Sequence, residues 1–308
     1  MNALDITSIH KSYANHTALN NVSVHMPEGC IFGLLGPNGA GKTSLIRIIN
    51  QITAPDSGEV KFFGERLAPE HVHQIGYLPE ERGLYKKMKI GEQAMYLARL
   101  KGMSKDDARR ELKAWFERFE ISDWWNKKVE ELSKGMAQKV QFISTVLHKP
   151  KLLILDEPFS GFDPINAALI RSEILRLRDE GASIILSTHN MGSVEEICDH
   201  IALINKSRVI LEGSVKDVRQ RFDNHEYSIR FSGNLIGFTN ALGANFILID
   251  QKQVEGVHEC TLQLKDGLRL NDLLNAVINQ VDIHEVVAKI PSMNEIFIRA
   301  VQNENAKS

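Results

Sequence analysis

Gly36-Pro37-Asn38-Gly39-Ala40-Gly41-Lys42-Thr43 fits the spacing G-x-x-x-x-G-K-[ST]. The chemistry that needs these residues is phosphate binding. Glycines let the backbone wrap closely, so that several N–H groups can face phosphate oxygens. A helix that starts at Thr43 adds free N–H groups and the positive end of its dipole. Lys42 is suited to reach β- and γ-phosphates, and the Thr43 hydroxyl to ligate Mg²⁺. Gly36, Asn38, Gly39, Ala40, Gly41, Lys42, Thr43 and Ser44 are therefore the candidate nucleotide-binding stretch. Much later in the chain, Leu152-Leu153-Ile154-Leu155-Asp156-Glu157 reads as an apolar strand ending in two carboxylates. Side by side with the phosphate loop, Asp156 would hold Mg²⁺ directly or through water. Glu157 falls on the other side of the strand, where it could polarise a water for attack on the γ-phosphate.

These residues need a scaffold, and short apolar runs alternating with helical patterns supply one. Ile31 to Leu35, Leu152 to Leu155 and Ser183 to Ser187 read as buried strands, with helices over Thr43 to Asn50 and Ile165 to Arg178 between them. That alternation predicts a parallel sheet. Leu4 to Lys11, Asn21 to Met26 and Glu59 to Phe63 look antiparallel and edge-like, the last after the turn signal Pro55-Asp56-Ser57-Gly58. From about Ile90 to Val146 the pattern is helical, and Asp106 to Glu120 places Ala108, Leu112, Trp115, Phe116 and Phe119 on one face. The style changes near Arg221 to Asn224. Beyond it come strand Glu226 to Phe231, helix Ile236 to Leu242, strands Asn245 to Asp250 and His258 to Leu264, helix Asn271 to Asn279, strand Ile283 to Lys289 and a helix from Pro291 to Val301. This βαββαβ order predicts a small ferredoxin-like α+β domain. The expected domains are 1–223 and 224–308, with a helical subdomain at about 84–145 in the first.

Further motifs carry a resemblance. Leu132-Ser133-Lys134-Gly135-Met136, followed by Gln138-Lys139-Val140, resembles the signature sequence of ATP-binding cassette (ABC) ATPases. Asp156-Glu157-Pro158 and Ser160-Gly161-Phe162-Asp163 resemble that family's Walker B segment and D-loop. Ser187-Thr188-His189 resembles its switch-histidine loop, and Tyr13 the aromatic residue that stacks on adenine. The motifs appear in family order and cover roughly residues 4 to 222. Ile75-Gly76-Tyr77-Leu78-Pro79-Glu80-Glu81-Arg82-Gly83-Leu84-Tyr85 stands where most members have a Gln loop, with Glu80 at the Gln position. That variant, the Lys134 and Met136 signature and the extra C-terminal domain resemble the NatA-type branch, ATP-binding subunits of two-component exporters.

The resemblance implies an α/β phosphate-loop ABC ATPase domain with a parallel core sheet, an antiparallel β subdomain and a helical subdomain. It implies a head-to-tail dimer with two ATP molecules at the interface, where Ser133 and Gly135 meet the γ-phosphate held by the partner. His189 would contact the γ-phosphate and orient Glu157 and water, and Asp163 would link the two sites. Glu80 would join Thr43 and Asp156 at Mg²⁺. The expected partners are a separate membrane permease and a second ATP-binding subunit, a homodimer being the simplest case. The expected location is the cytoplasmic face of the cell membrane, through the permease.

Composition agrees. Thirty-seven Lys and Arg against 39 Asp and Glu give a formal net charge of −2, which argues against whole-chain electrostatic binding to nucleic acid. No stretch approaches the roughly 18–20 apolar residues of a membrane span. Cys30, Cys198 and Cys260 are far apart and read as buried thiols rather than a disulfide framework. A GTPase is disfavoured because Asn126-Lys127-Lys128-Val129 and Asn205-Lys206-Ser207-Arg208 both fail the guanine-specifying Asn-Lys-x-Asp. An ABC-type ATPase working without a membrane partner stays open as the alternative.

Overall fold

The computed structural model describes residues 1–81, 83–254 and 256–307. Arg82, in the segment Ile75 to Tyr85 quoted above, and Ser308 lie outside them. The chain divides into two compact units, Met1–Val215 with Ala300–Ser308, and Lys216–Arg299.

The first unit runs β1 (Asn2–Tyr13), β2 (His16–Pro27), β3 (Ile31–Leu35), α1 (Lys42–Ile49), β4 (Ser57–Phe62), β5 (Glu65–Arg66), β6 (Ile75–Leu78), α2 (Ile90–Leu100), α3 (Lys105–Arg118), α4 (Lys134–Val146), β7 (Leu152–Asp156), α5 (Pro164–Asp179), β8 (Ser183–Ser187), α6 (Met191–Ile197), β9 (His200–Asn205) and β10 (Arg208–Ser214). A six-stranded sheet has the order β10-β9-β3-β8-β7-β6. Its pairs are parallel except for the β9–β10 hairpin. Every residue of β3, β7 and β8 is buried, as expected of parallel strands covered on both faces. The antiparallel sheet has the order β2-β1-β4-β5. Ile6, Val22 and Val24 of that sheet join Leu45 and Ile49 of α1 and Phe32 and Leu34 of β3 in one core. Helix α1 is thus held between the two sheets, and the loop that precedes it is fixed at both ends.

The helical segment is α2, α3 and α4. The face expected of α3 is the buried one, with Ala108, Leu112, Trp115 and Phe116 inside, and Phe119 beside its C-terminus. The guanidinium groups of Arg118 and Arg176 lie 5.6 and 5.2 Å from the Trp115 ring. Both arginines bond the buried Glu173 of α5, at 3.1 and 2.8 Å. This ties α3 to α5 by charge as well as by packing.

The second unit contains α7 (Val215–Arg221) from Lys216 on, β11 (Glu226–Gly233), α8 (Leu235–Leu242), β12 (Phe246–Val254), β13 (Val257–Leu264), α9 (Leu270–Val277), β14 (Val281–Lys289) and the first part of α10 (Met293–Lys307). The sheet order is β12-β13-β11-β14, antiparallel throughout. This is the ferredoxin-like arrangement expected from the βαββαβ order. Ile229, Phe231 and Leu262 of the sheet pack with Phe238 of α8 and Leu273 and Val277 of α9 as its own core.

Candidate nucleotide-binding and catalytic site

Parallel pairing brings the C-terminal ends of β3, β7 and β8 to one edge of the sheet. Leu34 is level with Ser187, and Ser187 with Asp156. Ligands of open α/β sheets bind at this edge. The loop leaving β3 is the glycine-rich stretch, and two of its glycines are sterically obligatory. Gly36 has φ +148°, and a Cβ there would stand 2.2 Å from the carbonyl oxygen of Ile204. Gly41 has φ +118°, and its Cβ would stand 2.4 Å from the carbonyl oxygen of Ala18. Gly41 is also the N-cap of α1 and offers no side-chain cap, and the first turn carries no acid. The N–H groups of Lys42, Thr43 and Ser44 are thus left for an anion. Ala40 is buried, while Asn38 and Gly39 (φ +77°) form the exposed crest of the loop. The Lys42 ammonium donates to the carbonyls of Gly36 and Pro37, at 2.6 and 3.1 Å. Burial lowers its pKa, and the negative charges of Asp156, Glu157 and Glu80 oppose that shift. Three carboxylates therefore act electrostatically on the lysine.

Asp156 ends β7 and is buried. Burial raises its pKa, the charges of Glu80 and Glu157 add to the rise, and the nearby Ser187 hydroxyl and Lys42 oppose it. Glu80 follows β6, whose Leu78 is level with Leu155 of β7, and so reaches the same edge. Burial and the Asp156 charge also push the neighbouring Tyr77 phenol up to about 12.

Glu157 occupies the left-handed region at φ +49°. Such a backbone is costly for a residue with a Cβ and is held only when its surroundings fix it. Its N–H donates to the Ser187 carbonyl at 2.8 Å. Its carboxylate accepts from Thr188 Oγ1 at 3.1 Å and from the His189 N–H at 2.9 Å. The third contact is His189 Nδ1, at 2.6 Å. A carboxylate accepts, so Nδ1 carries a proton in this contact and Nε2 is left facing away from it. The His189 side chain is 72% exposed against 14% for Glu157. The imidazole thus faces solvent while the carboxylate is fixed beneath it. The share of Thr188 in this constellation was not singled out by the sequence, where one hydroxyl beside a histidine carries little signal.

The remaining residues lie elsewhere. Ser133 caps α4 and accepts from the Met136 N–H at 3.3 Å. Asp163 caps α5 and accepts from the Asn166 N–H at 3.0 Å; the bonds from Asn166 lower its pKa. A Cβ on Gly135 would lie 3.8 Å from the Phe162 ring, which brings the first turn of α4 beside the residue that precedes Asp163. Tyr13 sits at the tip of the β1–β2 hairpin, paired with His16. The residue is 39% exposed, and its ring lies 5.4 Å from the Lys11 ammonium.

The uncharacterized ABC transporter ATP-binding protein YhaQ of Bacillus subtilis (strain 168) is 40% identical to this chain over 97% of it and 98% of the relative. The chain is an ABC transporter ATP-binding protein. The ABC transporter family model matches residues 19–160 of this ATP-binding protein. A second model, the C-terminal domain of DrrA1-3-like ATP-binding proteins, matches residues 213–301. The linearmycin resistance ATP-binding protein LnrL of B. subtilis is 29% identical over 93% of the chain and 84% of its own length. A solved structure described as the ATP binding subunit of an ABC transporter superposes with a TM-score of 0.67 at 31% identity. It covers 71% of this chain and 93% of its own. An ABC ATPase domain of this kind binds ATP.

Proposed function

We propose that this ATP-binding protein hydrolyses Mg·ATP within a head-to-tail dimer and so drives a separate membrane permease, in the outward direction. The observation that carries the reading is the Glu157 carboxylate, held by Thr188 and by both the N–H and Nδ1 of His189 at the edge that holds the glycine-rich loop. The loop cradles the phosphates through backbone N–H groups, and Lys42 neutralises charge on the β- and γ-phosphates. Glu157 orients a water, and His189 keeps Glu157 in line. The water oxygen forms a bond to the γ-phosphorus as the bond to the β,γ-bridging oxygen breaks, which leaves ADP and phosphate.

The donor set fits a hard cation. Thr43, Asp156 and Glu80 offer oxygen, and Asp156 is buried at the C-terminal end of β7. Mg²⁺ held there supplies charge neutralisation at the phosphate oxygens. Tyr13 offers an exposed ring for adenine, and Ser133 and Gly135 stand at the N-terminus of α4 to meet the γ-phosphate bound by the partner. Asp163 links the two sites across the dimer.

No helix among the described residues is long and apolar enough to cross a membrane, which suits a chain docked on a permease at the cytoplasmic face. LnrL is named for resistance to linearmycin, and resistance fits export. Phosphate release from Mg·ATP by the purified chain tests the hydrolytic assignment. Glu157→Gln is expected to lower the rate by about 10²–10⁴-fold, the usual worth of a positioned base. A variant as fast as wild type would remove Glu157 from the mechanism.

A further inference from the structure

The loop between Glu157 and Asp163 is fastened to α4 in the same chain. Gln138 Nε2, one turn into α4, donates to the carbonyl of Ser160. The Lys134 stem lies across Gly161, where a Cβ would stand 2.5 Å from Lys134 Cε and 2.8 Å from its Nζ. Gly161 has φ +81°, so glycine serves there both conformation and the close passage of the lysine. Within the loop, the Ser160 N–H donates to the Glu157 carbonyl at 3.1 Å. An unbroken series of contacts thus runs from the first turn of α4 to the backbone of Glu157, the residue held at φ +49°.

We propose that Lys134 and Gln138 are positioning residues that clamp the loop Phe159 to Phe162 onto the N-terminus of α4, so that α4 and the loop that sets Glu157 move as one piece. The inference rests on the hydrolytic reading above for its consequence, but the clamp itself is a property of the chain. Phosphate engaged at Ser133 and Gly135 would fix α4 and, through the clamp, the backbone of Glu157 in the same subunit. Lysine suits the position because its long side chain reaches across the glycine while the residue stays exposed.

The test uses the full chain and two variants, Lys134→Ala and Gln138→Leu, with Lys134→Arg as the conservative control. Amide hydrogen exchange at Ser160, Gly161 and Phe162 reads the clamp without nucleotide. Each disruptive variant is expected to speed exchange about fivefold, the worth of one hydrogen bond or equivalent contact, and Lys134→Arg to restore protection. Steady-state hydrolysis then reads the consequence: kcat is expected to fall about fivefold while the affinity for Mg·ATP stays at the wild-type value. Unchanged exchange in both variants would overturn the clamp. Faster exchange with unchanged kcat would overturn its role in setting Glu157. A wild-type chain without hydrolysis would instead defeat the hydrolytic reading, with the exchange result still deciding the clamp.

Discussion

Asp156 is a carboxylate that the fold buries at the C-terminal end of β7. Its pKa is raised chiefly by desolvation, with Glu80 and Glu157 adding to the shift. Between the ordinary aspartate range and the raised value, the folded chain binds more protons than the unfolded one. Stability therefore falls as pH rises through that window and stays reduced above it. Asp156→Asn removes the buried charge. In the absence of nucleotide and Mg²⁺, the variant is expected to melt above wild type at pH 7, with the gap closing as pH falls below the raised pKa. Mg²⁺-dependent tightening of ATP binding is expected to disappear in the same variant. Thermal melts across pH, with and without Mg·ATP, check both; a variant less stable than wild type at pH 7 would contradict the account of burial. At this scale the sequence was informative wherever chemistry comes in contiguous motifs. Lys42, Asp156, Glu157 and His189 could be singled out as candidates because residue type and neighbours suffice for that. Thr188 as a donor to Glu157, and Lys134 across Gly161, were not, because each is a contact between segments that no spacing rule joins.

Among the elements, the glycine-rich loop shows how close packing turns a motif into an obligation. Alanine at Gly41 must adopt φ near +118° and bring its Cβ to 2.4 Å from the Ala18 carbonyl oxygen, which belongs to β2. Neither the loop nor the strand can yield without disturbing the other. Gly41→Ala is expected to cost on the order of 3 kcal/mol and to abolish ATP binding, as read by denaturant unfolding and by nucleotide titration. A variant that binds ATP normally would show that the loop tolerates a side chain there. The buried strands β3 and β8 match the sequence reading residue for residue, because a short unbroken apolar run between turns has few other fates. The β9–β10 hairpin went unread for a specific reason. Its two-residue turn is Lys206-Ser207, at φ +44° and +68°. Turns of this kind usually advertise themselves with Asn-Gly or Asp-Gly, and Lys-Ser carries no such signal. Strand β6 is four residues long and follows a 3₁₀ turn, too short for alternation to show. β1 and β2 extend beyond the expected Leu4 to Lys11 and Asn21 to Met26, because their polar outer residues continue the pairing out to Tyr13 and His16.

For the whole molecule, the glycine-rich loop, Glu80, Asp156, Glu157 and His189 all come from the first compact unit, while Lys216–Arg299 holds a separate hydrophobic core. Phe231 stacks on Phe238 with ring centroids 4.1 Å apart, and both are fully buried. Phe231→Ala is expected to cost the second unit about 3–5 kcal/mol. Because every nucleotide-binding candidate lies in the first unit, Mg·ATP binding by the variant is expected to persist, as read by calorimetric titration. Loss of binding would give the second unit a part in the site. The change of patterning near Arg221 predicts two units, 1–223 and 224–308; the structure instead divides at Val215/Lys216, with α7 from Lys216 onward in the second unit, and returns the chain from Ala300 on to the first.

The proposed dimerisation around ATP joins these scales: in that proposal Ser133 and Gly135, at the N-terminus of α4, meet nucleotide held by the loop of another chain. Size-exclusion chromatography of Glu157→Gln, which retains the loop but lacks the carboxylate, shows whether that meeting occurs. With Mg·ATP the variant is expected to elute as a dimer, and with Mg·ADP or no nucleotide as a monomer. A Glu157→Gln chain that binds Mg·ATP and still elutes as a monomer would contradict hydrolysis at a shared interface.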